Sequence, residues 1–251
     1  MRITRCLFLS LCAGLFCSNG FATTILVVYT PTNVFIASDS KFAGGEGNET
    51  WSGCKIHVAE DYVWIVAGLA FEVDTTTHSR GFDMDKLVPQ TLGDHSPSTA
   101  SLDLLEARLK VSFQSAVSHL SSDFDLKRAA VTLIIMDRKN IGTGYEMFIT
   151  PKTFERNKIP YETMSSSGFI FGGEAGRVKE ILATKTAKIF KDMGTVPALN
   201  YLIAEQEKAT PEYVAGPIAI VQIDSSGVHW IQKAACQDHE TRPGPSLVTP
   251  K

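Results

Sequence analysis

The sequence lacks several features that mark common functional classes. Its 251 residues carry 24 lysines and arginines against 27 aspartates and glutamates, so no excess of positive charge indicates a nucleic-acid partner. Its six histidines show no H-x-x-x-H spacing, and its cysteines form no C-x-x-C pair, which argues against a metal site. Its glycine-rich stretches contain neither the G-x-x-x-x-G-K-[ST] nor the G-x-G-x-x-G pattern, so phosphate and dinucleotide loops are not indicated.

The start of the chain contains a short run that is mostly apolar. Residues 6–16 follow two arginines and have the length of a signal-peptide core, which is too short to span a membrane. Gly20 and Ala22 are the small residues that a signal peptidase requires, so we predict a leader over residues 1–22 and cleavage after Ala22. Thr23 would then be the first residue of a periplasmic or secreted protein with no membrane association. The alternative is an uncleaved anchor; a lipoprotein is disfavoured because bulky residues precede the leader cysteines.

Cysteine is scarce once this leader is removed. Three of the five cysteines lie in the leader, which leaves Cys54 and Cys236. Outside the cytoplasm two cysteines can form a disulfide. The other interpretation is a pair of buried thiols, and we favour the thiols. Residues 237–251 contain three prolines and are predicted to be a loose tail, so one domain spans residues 23–236.

A threonine at a new N-terminus has a specific chemical use. Its hydroxyl is a weak nucleophile, but its own α-amine, with an ordinary pKa near 7.7–8.0, can remove the hydroxyl proton. A nearby ammonium lowers the pKa of that amine and keeps it a usable base, and a carboxylate is needed to hold the ammonium. Lys55 and Asp39, which lie 32 and 16 residues after Thr23, are the candidates for these two roles.

The residues around these candidates match a known pattern. The chain reads TTI at Thr23, ASDS around Asp39, CKI around Lys55 and Ala-Gly at Gly68. In these motifs it resembles the proteasome β-subunit family and the bacterial protease-ring subunit of the same superfamily. The resemblance places Asp39 and Lys55 at the catalytic aspartate and lysine without a gap. After a one-residue deletion it places Gly68 at the glycine whose N–H stabilises an oxyanion.

Two further elements match the family less well. Ser167, followed by Gly168, matches a G-S-G element whose serine binds the threonine amine; the other interpretation is a serine-rich turn. Glu212 stands where the family has an aspartate, and Ala215 stands where it has a serine. The resemblance also implies that the backbone near Ala43 binds an extended peptide. The resemblance further implies a substrate pocket beside Thr23 that is lined by Phe42, Gly53, His57, Val66 and Ala70.

Periodicity alone predicts a mixed α and β chain. Strands are predicted at residues 23–30, 34–38, 62–67, 131–136, 145–150, 218–223 and 228–232. Helices are predicted at residues 98–120, 175–191 and 196–208. Residues 79–97 are polar and are predicted to be an irregular insertion. The resemblance adds the layer order, an α+β fold built as the four-layer αββα sandwich of N-terminal-nucleophile hydrolases.

The function that these expectations favour is a threonine-type amidohydrolase, in the first place a peptidase. Thr23 attacks a carbonyl carbon, and Asp39, Lys55, Gly68, Ser167 and Glu212 support it, with no cofactor required. Peptides or small amides would be the substrates, and the protein would act alone or as a modest homo-oligomer, since no ATP is present outside the cytoplasm to drive an unfolding partner. The alternative is a non-catalytic shell or binding subunit with the same fold.

Overall fold

The computed structural model describes residues 23–43, 50–73, 80–119, 129–160, 167–233 and 236. The predicted leader over residues 1–22 and the predicted tail over residues 237–251 lie outside the described residues. None of the helices in the described part of the chain has an apolar stretch long enough to cross a membrane.

The described residues form fourteen strands and four helices. The strands are β1 (Thr24–Tyr29), β2 (Val34–Ser38), β3 (Lys41–Ala43), β4 (Thr50–Ser52), β5 (Ile56–Val58), β6 (Tyr62–Gly68), β7 (Phe71–Val73), β8 (Arg80–Asp83), β9 (Val131–Asp137), β10 (Gly144–Ile149), β11 (Phe154–Ile159), β12 (Gly168–Gly173), β13 (Ala219–Asp224) and β14 (Gly227–Gln232). The helices are α1 (Met84–Leu92), α2 (Thr99–His119), α3 (Gly176–Met193) and α4 (Thr195–Ala209).

Ten of these strands form two antiparallel sheets of five. Sheet 1 has the order β12-β1-β2-β13-β14, and sheet 2 has the order β11-β10-β9-β6-β5. The remaining four strands form the short hairpins β3–β4 and β7–β8. β1 therefore lies inside sheet 1, hydrogen-bonded on both sides, and its first residues are held by two neighbouring strands.

Three hydrophobic cores pack these elements together. One lies between the two sheets, one lies between sheet 2 and helices α1 and α2, and one lies between sheet 1 and helices α3 and α4. Successive side chains of a strand point to opposite faces of its sheet. Alternate residues of β6 accordingly divide between two cores, one set facing sheet 1 (Val63, Ile65, Ala67) and the other facing α1 and α2 (Tyr62, Trp64, Val66).

The predicted strands and the three predicted helices are confirmed with small changes at their ends. The prediction of an irregular segment over residues 79–97 was wrong, because this segment contains β8 and α1. The side chain of Asp83 accepts a hydrogen bond from the Asp85 amide at the start of α1, and three apolar residues at four-residue spacing, Met84, Val88 and Leu92, are buried. Pro89 and the polar residues around it hid this helix from the sequence pattern.

Cys54 and Cys236, the two cysteines outside the predicted leader, form a disulfide, so the favoured interpretation of two buried thiols was wrong. The Cα atoms of Cys54 and Cys236 lie 4.4 Å apart, within the range that the bond requires. Cys236 follows β14 at the edge of sheet 1, whereas Cys54 precedes β5 at the edge of sheet 2. The bond therefore joins the two sheets covalently, next to Lys55.

Candidate active site

A buried ion pair between Asp39 and Lys55 occupies the place where sheet 1 and sheet 2 meet near Thr23. Asp39 follows the last residue of β2, and Lys55 precedes the first residue of β5. Lys55 Nζ donates to both carboxylate oxygens of Asp39, at 3.1 Å each, and both side chains are almost wholly shielded from solvent. Asp39 and Lys55, the predicted catalytic aspartate and lysine, are thus in direct contact.

The Asp39 carboxylate also binds three backbone amides. Oδ1 accepts from the Thr24 amide at 2.7 Å, and Oδ2 accepts from the amides of Lys41 at 3.1 Å and Ala215 at 3.4 Å. One carboxylate therefore links the start of β1, the start of β3, the segment after α4 and the Lys55 ammonium. These donors satisfy a buried charge that would otherwise be costly.

Burial lowers the pKa of Lys55. The loss of water around the ammonium is the largest effect, the neighbouring Asp39 carboxylate opposes it, and the charge of Lys41 adds to it, which brings the pKa of Lys55 to about 8. A lysine with this pKa remains largely protonated at neutral pH and loses its charge within the range in which enzymes are commonly assayed.

The backbone of Thr23 is held from the other side by the end of β12. The Glu174 amide donates to the Thr23 carbonyl oxygen at 2.7 Å, and the Thr24 hydroxyl donates to the Glu174 carbonyl oxygen at 2.5 Å. Gly173 allows this approach: its φ is +67°, and a Cβ atom there would lie 2.0 Å from the Thr23 carbonyl oxygen and 3.1 Å from Ala67 Cβ. Thr23, Gly173 and Ala67 therefore meet at one point.

Gly68 follows Ala67 and is the last residue of β6. Its φ is +90°, in the region that favours glycine, and the next amide, that of Leu69, turns to donate to the Ala130 carbonyl oxygen at 3.0 Å. The structure therefore places Gly68 one residue beyond Ala67, whose side chain lies beside Gly173. Its predicted role as an oxyanion donor stays a prediction.

The structure does not bring Ser167 to Thr23. In the pairing of β1 with β12, Thr24 lies opposite Gly173 and Tyr29 lies opposite Gly168, so Ser167 stands beside the far end of β1. Five residues of an antiparallel strand span about 17 Å at about 3.4 Å per residue. Glu212, the other predicted support for the amine, lies in the turn after α4 with its side chain exposed.

The predicted pocket residues divide between two regions. The Gly53 amide donates to the Ser40 carbonyl oxygen at 2.9 Å, which places Gly53 next to Asp39. The backbones of Phe42 and Ala43 belong to β3 and pair with β4.

Val66, Ala70 and His57 lie on the other face of sheet 2. Val66 and Ala70 pack in the core with α1 and α2. The His57 ring stacks on Trp64 at 3.8 Å, and its Nε2 atom lies 3.4 Å from Asp85 Oδ1 at the start of α1. Because side chains alternate along a strand, those of Val66 and His57 point away from sheet 1, which carries Thr23, and Ala70 packs in the same core as Val66.

Sequence reasoning missed the contribution of Gly173 and Glu174 to this site. In the segment FGGEAG, the sequence pattern showed only that the phosphate-loop and dinucleotide-loop motifs are missing. Its two glycines at the end of a strand were the available signal, because consecutive glycines there permit an unusually close backbone approach. Within the described residues, no group of three or more histidine, cysteine, aspartate or glutamate side chains is arranged to hold a metal ion.

Comparison with known proteins gives a likeness of fold. No protein-family model matches the chain, and no curated protein sequence matches it. Three solved structures that match are Anbu proteins. Anbu (ancestral beta-subunit) from Yersinia bercovieri is 11% identical, with 84% of this chain and 88% of that chain covered and a TM-score of 0.48, and Anbu from Hyphomicrobium sp. strain MC1 is 12% identical, with 85% of this chain and 88% of that chain covered and a TM-score of 0.47. The helical assembly of the Anbu complex from Pseudomonas aeruginosa is 12% identical, with 84% of this chain and 87% of that chain covered and a TM-score of 0.52.

These findings correct the expected family. The motifs around Thr23, Asp39, Lys55 and Gly68 had suggested that the chain belongs to the proteasome β-subunit family of N-terminal-nucleophile hydrolases. That expectation was wrong: no family model matches the chain, and a structural neighbour with a TM-score of 0.52 is an Anbu protein, from a proteasome-like family, at 12% identity. The Pseudomonas structure shows a proteasome-like fold for this chain and nothing about its chemistry.

Proposed function

We propose that this protein is an exported threonine-type amidohydrolase that cleaves peptide or small amide bonds. In this proposal the leader is removed after Ala22, Thr23 becomes the N-terminal residue, and its hydroxyl is the nucleophile. The three cores described above support a four-layer αββα arrangement, with the two sheets between the helix pairs.

One observation carries the proposal. Asp39 Oδ1 accepts from both the Lys55 ammonium and the Thr24 amide, so a single oxygen atom connects a buried cation to the peptide bond between Thr23 and Thr24. A buried lysine–aspartate pair is costly to form and contributes little to stability compared with apolar residues. Its position beside the predicted nucleophile supports a chemical role, because perturbed ionisable groups concentrate at functional sites.

The reaction follows from these positions. The Thr23 amine removes the proton from its own hydroxyl, directly or through a water, and the oxygen attacks the carbonyl carbon of the substrate. The Gly68 amide stabilises the resulting oxyanion, a contribution of about 2.7–4 kcal/mol in other enzymes. The C–N bond then breaks, the protonated amine of Thr23 returns its proton to the leaving nitrogen, and an ester on Thr23 remains. Water, activated by the same amine, hydrolyses this ester and regenerates the hydroxyl.

Lys55 and Asp39 prepare the amine for this work. A positive charge near an amine disfavours its protonation, so the Lys55 ammonium increases the fraction of Thr23 that is present as free base. Asp39 holds the ammonium in place and keeps it charged at neutral pH. No step requires a cofactor or a metal.

Two observations support the location and the assembly state in this proposal. The disulfide between Cys54 and Cys236 suits an oxidising compartment, as expected for an exported protein. The Pseudomonas aeruginosa protein with this fold is described as a helical assembly of the Anbu complex, which favours a homo-oligomer here as well.

Covalent labelling by a peptide epoxyketone tests the proposal. The exported protein is first analysed by intact mass and N-terminal sequencing, which we expect to give Thr23 as the first residue. The reagent should then add to Thr23 in the natural protein and in a Thr23→Ser variant, and should not add to Thr23→Ala. A different N-terminus, or equal labelling of Thr23→Ala, would rule out the threonine mechanism.

A non-catalytic binding role is the second candidate. It is favoured by the position of Ser167 at the far end of β1 and by the exposure of Glu212, since neither residue is placed as a support for the amine. Binding of an unreactive peptide by a protein that has Thr23 at its N-terminus and resists the epoxyketone would select this function.

A further inference from the structure

The Asp39 carboxylate has no remaining capacity to bind the Thr23 amine. A carboxylate offers about four lone-pair positions. Asp39 already accepts from the Thr24, Lys41 and Ala215 amides, and each of its oxygens accepts from Lys55. If Thr23 has a free amine, another group must accept its hydrogen bonds and fix its direction.

Glu174 is an acidic residue whose backbone already binds Thr23. Its amide donates to the Thr23 carbonyl oxygen at 2.7 Å, and its carbonyl oxygen accepts from the Thr24 hydroxyl at 2.5 Å. The pairing of β1 with β12 ends at Thr24 opposite Gly173, and Glu174 is the next residue, so its backbone lies against that of Thr23. This contact between backbone atoms brings the start of the Glu174 side chain into the neighbourhood of Thr23.

The charges around Thr23 also leave room for a second carboxylate. Lys41 and Lys55 contribute two positive charges and Asp39 contributes one negative charge. Among the described residues, Glu212 after α4 is exposed, and Arg177 in the first turn of α3 pairs with Glu180 at 3.2 Å. The buried pair of Asp39 and Lys55 is neutral, so a protonated Thr23 amine would add a positive charge, and an ionised Glu174, which is half-buried, would balance that charge.

We propose that Glu174 is a positioning residue for the nucleophile: its carboxylate accepts a hydrogen bond from the Thr23 α-amine and holds that amine against the Thr23 hydroxyl. This inference rests on the proposed function, because it requires Thr23 to be the first residue. Glu174 stabilises the protonated amine, whereas Lys55 destabilises it. The two residues therefore shift the pKa of the amine in opposite directions, and together they set the pH at which the base becomes available.

Measurement of the amine pKa tests this assignment without relying on turnover. The protein processed to Thr23 is treated with limiting isotope-labelled acetic anhydride across a pH series, and acetylation of the N-terminal peptide is followed by mass spectrometry. We expect Glu174→Gln to lower the pKa of the Thr23 amine by about one unit, because it removes a nearby negative charge. Lys55→Met should raise it, and Glu174→Asp should keep it closer to the natural value than Glu174→Gln does. Glu180→Gln on the exposed side of α3 is the matched control and should leave it unchanged.

The outcomes separate this inference from the proposed function. An unchanged amine pKa in Glu174→Gln overturns the inference, and so does a shift seen in Glu212→Gln in its place, which would assign the role to Glu212. If the first residue is not Thr23, the proposed function itself fails. If the epoxyketone labels Thr23 but Glu174→Gln leaves the rising limb of the pH–kcat/KM profile in place, only the assignment of Glu174 fails.

Discussion

Lys55 Nζ lies 3.1 Å from each oxygen of the Asp39 carboxylate, and neither side chain is accessible to water. Loss of one partner leaves the other charge buried and unpaired, which costs about 3–5 kcal/mol in comparable proteins. We therefore expect Asp39→Asn and Lys55→Met each to lower the free energy of unfolding by this amount. The double variant Asp39→Asn/Lys55→Met, which removes both charges and keeps an oxygen for the backbone amides, should lose less than either single variant, as measured by urea unfolding.

An exposed pair provides the control for this experiment. Lys208 lies 2.6 Å from Glu205 on α4, and its side chain is largely exposed. Lys208→Met should change the free energy of unfolding by no more than about 1 kcal/mol. Equal effects of Lys208→Met and Lys55→Met would contradict the interpretation of a buried pair.

The lowered pKa of Lys55 predicts how stability depends on pH. In the unfolded chain this lysine keeps its proton up to an ordinary pKa of 10.5, whereas in the folded protein it loses the proton near pH 8. Between these values the unfolded state binds more protons, so the free energy of unfolding should rise as pH increases from 8 to 10. Urea unfolding in this range should show the rise in the natural protein and lose it in Asp39→Asn/Lys55→Met. A falling curve in the natural protein would be inconsistent with a lowered pKa.

Gly173 predicts a sharp contrast with a neighbouring glycine. An alanine at Gly173 would adopt an unfavourable φ of +67° and would place its Cβ atom 2.0 Å from the Thr23 carbonyl oxygen, so we expect a loss of about 2–4 kcal/mol of stability. At Gly176, the first residue of α3, a Cβ atom would have no neighbour within 4 Å. Gly176→Ala should leave stability unchanged or raise it by up to about 1 kcal/mol. Thermal unfolding of the two variants makes the comparison, and similar melting temperatures would argue against the close approach at Thr23.

The disulfide predicts a dependence on reducing agent. Cys54 and Cys236 are separated by 182 positions, so the bond restricts most of the unfolded chain. Cys54→Ser/Cys236→Ser should lower the free energy of unfolding by about 2–5 kcal/mol, and dithiothreitol should bring the natural protein to the same value. Dithiothreitol should have no effect on the double variant; an effect there would point to a cause other than this bond.

The sequence was sufficient for the parts of the site that are close together along the chain. Asp39 and Lys55 both adjoin strands, and the interval between them contains the two strands of the short hairpin β3–β4. The contacts that join distant segments could not be read in this way. Glu174 meets Thr23 because β12 pairs with β1 in one particular register, and Cys54 meets Cys236 because two sheet edges come together. Local patterns do not encode either relationship.

Ser167 shows how a motif can mislead when the register is unknown. The residue has the right type and is followed by a glycine, but it immediately precedes β12, whereas the other end of that strand contacts Thr23. A shift of six residues along one strand separates the motif from the site. The glycines at the end of β12, which allow the close approach, were the better physical signal than a serine.

The position of β1 between β12 and β2 has a consequence for the motion of the reactive end. Chain termini usually fray, and their amide hydrogens exchange with water through local fluctuations, without unfolding of the whole protein. A terminus created at Thr23 begins instead at an interior strand, and the next amide, that of Thr24, is bound to a buried carboxylate. Exchange of the Thr24 amide hydrogen with deuterated water should need the opening of sheet 1 and should therefore be as slow as global unfolding. The first residues of the processed protein would then be among its last to become mobile.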